Sequence, residues 1–181
     1  KYRNNEGLLS YGSSPAKNPF HEPVFMTKTA AGYESGMDDS PMYEEVPYNK
    51  KKNTLELQDV GLNSLYIADC KALAEMAEIL GRFKEKNELL ERSREYSSNM
   101  DMLWNNENGI YLNYRTDIDT HSMRLSPTIF YPLLAEVGTK QKTIRIVDYF
   151  YDNDKFYGKW MLPSTSRDDP SFHRQRYWKG A

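Results

Sequence analysis

The sequence predicts an all-α fold assembled from helical hairpins, and three observations carry that prediction. Apolar residues recur at three- and four-residue steps through residues 60–81 and again through about 84–104. No βαβ alternation and no strong strand run interrupts the chain. The links between periodic segments alternate between tight turns and long, dissimilar loops rich in polar and aromatic residues. This rhythm suits either an α-solenoid or a toroid of hairpins closing into an α/α barrel. A solenoid repeats a signature at fixed period, and these hairpins share none.

Each element follows from local chemistry. Residues 1–29, with Pro15, Pro19 and Pro23 among scattered Gly, Ser and Asn, read as an irregular lead-in to the same domain that fills 30–181. The stretch AGYESGMDDSPMYEEV reads as an acidic loop, with Glu34, Asp38, Asp39, Glu44 and Glu45 in sixteen positions. In the first strong helix the apolar face is Leu62, Leu65, Tyr66, Leu73, Met76, Ala77 and Leu80, with Asp69 in the same stripe and Gly81 as the stop. The second helix presents Leu89, Leu90, Tyr96, Met100, Leu103 and Trp104. A connection of only a few residues makes the two an antiparallel hairpin.

Asn and Gly in NNENGIYLNYRTD then break the helix and give a short extended stretch. SPTIFYPLLAEVG predicts a third helix, with Ser126 as N-cap, Pro127 in the first helical position and Gly138 as the stop. Pro132 should kink or shorten it. A fourth spans 139–150, capped by Thr139, with Ile144, Val147 and Phe150 inward. Residues 151–181 read as a long aromatic and basic loop.

Composition narrows the function classes. The 181 residues carry a formal net charge of −2, leaving no basic excess for nucleic acid. A hydrophobic share of 39% with 28% charged residues suits a globular protein. No apolar run approaches a membrane span and no signal peptide is visible, though a first residue of Lys1 and a last of Ala181 read as cut ends. The compartment therefore stays open. Cys70, the single cysteine, sits among Ala, Leu and Ile at helical spacing and reads as a buried structural thiol. His21, His121 and His173 are far apart, lack metal-binding spacing and read as loop residues. No metal or other cofactor is expected. Fourteen Tyr and three Trp offer apolar faces with polar tips, as sugar rings require, and core packing explains many of them equally well.

Two stretches hold candidate chemistry. In SGMDDSP, adjacent Asp38 and Asp39 diverge rather than alternate, which fails the calcium-loop pattern. A solvated acidic loop remains one reading. The other follows from Gly36 and Pro41, which bracket and stiffen the turn. A carboxylate held there between aromatic neighbours is suited to desolvation, which favours its protonated, proton-donating form. In LPSTSRDDPSFHRQRYWKGA, Arg167, Arg174, Arg176 and Lys179 interleave with Phe172, Tyr177 and Trp178. A nucleic-acid stacking patch is one reading. A sugar platform on Trp178, with hydrogen-bonding cations beside it, is the other.

Five stretches in order resemble glycoside hydrolase family 63 and its clan relatives, the trehalases. ESGMDDSP resembles the signature E-S-G-W-D-N-S-P, and LQDVGLNSLYIADCKALAEMAEILG resembles the helix that follows it. LWNNENGIYLNYR, LSPTIFYPLLA and LPSTSRDDPSFHRQRYWKGA resemble later blocks, the last matching P-S-x-x-R-x-D-P-x-F with Y-W-R-G. The resemblance covers about residues 30–181 and implies part of an (α/α)6 barrel that hydrolyses α-glycosides with inversion. It implies Asp38 as general acid, with Asp39 as the runner-up because it stands where Asn is common. It further implies that Glu34 lies at the rim, that Asn63 and Trp178 line the sugar subsite, and that Arg167 and Lys179 contact hydroxyls or orient carboxylates. Met37 stands where Trp is usual and Met42 where Arg is frequent. No residue matches the family's base glutamate, so the base and the rest of the barrel are expected outside these residues, leaving this piece inactive alone. An oligosaccharide or small α-glycoside is the expected partner, with neither nucleic acid nor membrane. The alternatives are a carbohydrate-binding relative that has lost catalysis and a helical scaffold for protein partners.

Overall fold

A computed structural model describes residues 7–13 and 27–180. In chain order these hold α1 (Lys28–Ser35), β1 (Tyr48–Asn49), β2 (Thr54–Leu55), β3 (Leu57–Gln58), α2 (Val60–Ile79) and α3 (Phe83–Asn99). There follow β4 (Trp104–Asn105), β5 (Ile110–Tyr111), β6 (Tyr114–Arg115), β7 (Thr120–His121), α4 (Tyr131–Leu134) and α5 (Lys140–Phe150). Short 3-10 turns at Pro41–Tyr43, Met100–Leu103 and Pro127–Phe130 link them. Most of the expected lead-in, His21 included, lies outside the described residues.

The hairpin of α2 and α3 forms as its periodicity requires. Asp59 caps α2, its Oδ1 accepting from Leu62 N at 2.8 Å, and Gly81 takes a left-handed φ of 68° beyond the helix end. The face that α2 buries is not the expected one. Val60, Gly61, Asn63, Ser64, Ile67, Cys70, Ala74 and Ala77 are buried, whereas Leu65, Leu73, Met76 and Leu80 face solvent. Small side chains let a neighbouring helix approach closely, so the inward stripe is the one poor in bulk. Cys70 is buried and free, as expected, and burial pushes its thiol upward.

The third helix is shorter than expected. Ser126 caps it and Pro127 opens it, but the first turn is 3-10 and α4 stops at Leu134. Pro132 removes an amide donor, and Glu136 and Gly138 then turn left-handed at φ 53° and 93°. Lys71 of α2 donates to the Ala135 carbonyl at 2.7 Å and ties α2 to this end. In α5, Thr139 caps as expected, yet Ile146 is the buried residue while Ile144 is exposed.

The all-α expectation needs correction, because seven strands of two residues each occur among the described residues. They pair antiparallel as β1 with β2, as β4 with β5, and in the order β3-β6-β7. Pairs this short leave no alternation for a sequence pattern to register. His121 therefore stands in a strand rather than a loop. The expected long loop after α5 has neither helix nor strand through residue 180. One core gathers Leu8, Ile67, Tyr96, Tyr111, Ile146 and Phe156; a second, of Ala31, Met42, Tyr43, Val46, Leu55 and Leu57, lies under the acidic segment. Among the described residues no helix is long and apolar enough to cross a membrane.

Candidate active site

The acidic segment is not all loop. α1 is capped by Thr27 Oγ1, which accepts from Ala30 N at 3.3 Å, and it places exposed Glu34 in its last turn. Gly36, at φ 69°, ends the helix in the left-handed region, a conformation glycine adopts without steric cost. Ser35 Oγ donates to Gly32 O at 2.6 Å and accepts from Met37 N at 3.0 Å. Ser40 N returns to Met37 O at 2.9 Å, and Ser40 then caps the 3-10 turn Pro41–Tyr43. Asp38 and Asp39 thus sit on a tight turn closed from both sides.

The two aspartates differ in what they meet. Asp39 Oδ1 lies 3.7 Å from Lys179 Nζ. Asp38 is exposed, and among the described residues its carboxylate forms no hydrogen bond or ion pair. The aromatic desolvation expected of this turn is absent there. Asp38 and Asp39 line a shallow hollow of about 160 Å³ with Lys28, Tyr43 and Glu44.

Met37, on the same turn, faces a different cavity. About 360 Å³ is enclosed by Tyr11, Met37, Gly61, Thr128, Tyr131 and Trp178, among others. Trp178 holds a left-handed φ of 53°, and its carbonyl accepts from Thr165 Oγ1 at 2.8 Å. Its indole Nε1 is buried with no partner among the described residues, so a donor stands unspent beside this cavity. Leu162 and Gly158 lead on to a wider cleft of about 920 Å³, lined also by Trp160, Arg167 and Arg174; Leu162 borders both spaces.

The remaining expected residues divide. Lys179 is buried and bridges Asp39 and Glu44. Arg167 borders the wide cleft, but it donates to the carbonyls of Lys155 at 3.0 Å and Trp160 at 2.6 Å and so braces that loop. Asn63 corrects the expectation. It is fully buried, and its amide donates to Leu9 O at 2.9 Å and Asp59 O at 2.8 Å while accepting from Leu9 N at 2.9 Å. With both amide hydrogens spent, it is a clamp on residues 7–13 and does not line either cavity. Met42 is likewise buried, its sulfur within reach of Asn113 Nδ2 at 3.5 Å.

Arg124, Asp169, Ser171, Tyr43 and Asp59 escaped the sequence. Arg124 reaches Asp169 through Nε at 2.7 Å and Nη2 at 3.1 Å, and Nη2 also donates to Glu44 Oε2 at 3.1 Å and Ser171 Oγ at 2.8 Å. Lys179 donates to the other oxygen of Glu44 and, as the largest cause, holds that carboxyl below its ordinary value. Beneath them Tyr43 donates to Asp59, whose burial raises its carboxyl above the usual range. Asp59 stood legible as the cap one residue before the helix start. Arg124 carried no local signal. Among the described residues no group of three or more His, Cys, Asp or Glu is placed to hold a metal ion.

With this geometry established, the comparisons place the chain among known proteins. A family model described as "Mannosylglycerate hydrolase MGH1-like glycoside hydrolase domain" matches residues 21–181. An uncharacterised conserved protein from Thermus thermophilus superposes with a TM-score of 0.70 at 19% identity, covering 91% of this chain and 49% of its own. A GH63 mannosylglycerate hydrolase from the same organism, in complex with glucose, gives 0.68 at 19%, covering 86% and 44%. A neutral trehalase from Saccharomyces cerevisiae gives 0.66 at 19%, covering 84% and 29%. The chain thus spans about half or less of the length of these structures, which share its fold. No curated protein matches the sequence.

Proposed function

The chain belongs to the mannosylglycerate hydrolase MGH1-like glycoside hydrolase family, and on that premise we propose that it is part of an inverting α-glycosidase with Asp38 as general acid. The contrast between the two aspartates carries this reading. Asp39 is engaged by Lys179, whereas Asp38 has no partner among the described residues and is free to reach a glycosidic oxygen.

In the proposed reaction Asp38 gives its proton to the leaving oxygen as the bond to the anomeric carbon breaks. A second carboxylate takes a proton from water attacking the opposite face, about 6.5–9.5 Å away. Neither neighbour of Asp38 suits that second role. Asp39 is paired with Lys179, and both oxygens of Glu44 accept from Lys179, Arg124 and Ser171. The resemblance to family 63, in which the base glutamate matches no residue of this sequence, supports a base outside these residues. Trp178, with its unspent indole donor, and Met37 form the sugar side of the turn, and the substrate is an α-glucoside or a similar α-linked sugar. The bare apolar face of α2 and α3, with Leu65, Leu73, Met76, Ile79, Leu80 and Phe83 exposed, supports further helices closing an (α/α)6 barrel around it.

The test is hydrolysis of α-glucosides, trehalose and mannosylglycerate by the full-length protein. Asp38→Asn is expected to lower kcat by roughly 100- to 10,000-fold with the fold intact, the range that general-acid catalysis supplies. Near-normal turnover in Asp38→Asn, or loss confined to Asp39→Asn, overturns the assignment. The anomer released first, read by NMR, decides inversion.

A further inference from the structure

Five charged side chains form one continuous series that ends beside the proposed acid. At its buried end Asp169, whose side chain is 3% exposed, receives Nε and Nη2 of Arg124 at 2.7 and 3.1 Å. Arg124 passes Nη2 to Glu44 at 3.1 Å. The other oxygen of Glu44 holds Lys179, whose own side chain is 8% exposed, and Lys179 lies 3.7 Å from Asp39. The series joins three segments distant in sequence: the acid turn, the chain after β7, and the loop after α5. A planar guanidinium gripping a buried carboxylate through two donors fixes direction as well as distance. The buried end thereby sets where the cation at the exposed end stands.

We propose that Arg124 and Glu44 are positioning residues that hold Lys179 against Asp39, so that the charge beside Asp38 is neutralised while Asp38 itself stays unpaired. This rests on Asp38 being the general acid. Two adjacent carboxylates on one tight turn repel, and without a cation between them each would oppose ionisation of the other. Lys179, hydrogen-bonded to Glu44 and 3.7 Å from Asp39, is the cation that offsets part of that repulsion. The charged and titratable groups facing the turn are Lys28 from α1, which donates to the Glu44 carbonyl at 2.6 Å, then Tyr43, Glu44, Asp39 and Lys179. Glu45 lies farther along, 3.7 Å from Arg124.

The pH profile of kcat/KM in the full-length protein tests this, because its alkaline limb reports loss of the acid's proton. Lys179→Met leaves Asp39 unneutralised, and the limb is expected to move up by about half a pH unit, the scale of one unit charge a few ångströms away in a wet site. Asp39→Asn leaves the Lys179 cation less balanced beside Asp38, and the limb is expected to move down. Lys179→Arg keeps the cation and the native limb. Arg124→Gln loosens the anchor, and the limb is expected to follow Lys179→Met by a smaller amount. Opposite shifts in Lys179→Met and Asp39→Asn support the proposal. Unmoved limbs in both overturn it, and if Lys179→Met does not fold, the Asp39→Asn limb decides alone. An unmoved limb in Arg124→Gln, with only a lowered melting temperature, overturns the roles of Arg124 and Glu44. If Asp38→Asn retains full activity, the underlying reading fails instead, so the two failures are distinct.

Discussion

The Tyr43 hydroxyl donates to Asp59 Oδ2 across 3.2 Å, and both residues are buried. This bond fastens the 3-10 turn behind the acid segment to the first residue before α2, so the site's two main supports share one carboxylate. Asp59 Oδ1 is spent capping the helix through Leu62 N at 2.8 Å. Burial is the larger influence and outweighs these bonds, raising the Asp59 carboxyl from its ordinary 3.8.

A pH dependence follows. A carboxyl raised on folding binds its proton more tightly in the native state, so its favourable contribution is complete below pH 3.8 and is lost as pH rises through the raised value. Asp59→Asn keeps a good cap without the charge. Its melting temperature relative to the native protein should rise as pH increases from about 4 through the raised value of the carboxyl. Asp59→Ala should lose about 2 kcal/mol near pH 4, from the lost cap and the unpaired Tyr43 hydroxyl, and the loss should shrink as pH rises because the native protein alone carries the raised carboxyl. A flat difference between native and Asp59→Asn melts would contradict this.

Asn63 makes a second prediction. Two of its three hydrogen bonds fix Leu9 to α2 and the third returns to the Asp59 carbonyl, so Asn63→Ala should cost about 2–3 kcal/mol in chemical denaturation. The Michaelis constant for the proposed hydrolysis, measured on the full-length protein, should not change. A weakened KM with native stability would return Asn63 to the sugar subsite.

Legibility in the sequence tracked how local the cause was. The boundaries of α2, the caps Ser126 and Thr139, and the stop at Gly81 depend on neighbours within one turn, and all are as expected. Which face turns inward depends on partners elsewhere. α2 is apolar on two sides, so periodicity could not separate the small stripe of Asn63, Ile67 and Ala74 from the larger one of Leu65, Leu73 and Leu80. The same gap hid Arg124, which meets Glu44 across 80 residues and Asp169 across 45. The tight turn from Gly36 to Pro41 was legible because its glycine, serines and proline act locally.

α5 offers a direct measurement of that misjudged face. Ile146 is fully buried in the main core, and Ile146→Ala should cost about 2–5 kcal/mol. Ile144, two residues earlier and 55% exposed, should lose about 0.5 kcal/mol or less as Ile144→Ala. Equal losses would mean that both faces of α5 are covered in the full-length protein.

Glu44 gives the last prediction, with a sign opposite to that of Asp59. The hydrogen bond from Lys179, followed by smaller help from Arg124, holds its carboxyl below the ordinary 4.5. A carboxyl lowered on folding stabilises the native state above pH 4.5, and that contribution fades as pH falls through the lowered value. Glu44→Gln keeps the shape and removes the charge. The native protein should therefore melt above Glu44→Gln by a constant margin from about pH 5 to about pH 7, with the margin closing on acidification. Glu44 is partly exposed, so raised salt should also narrow the margin at neutral pH. A margin that persists at the lowest pH reached would show that Glu44 acts through packing and not through its charge.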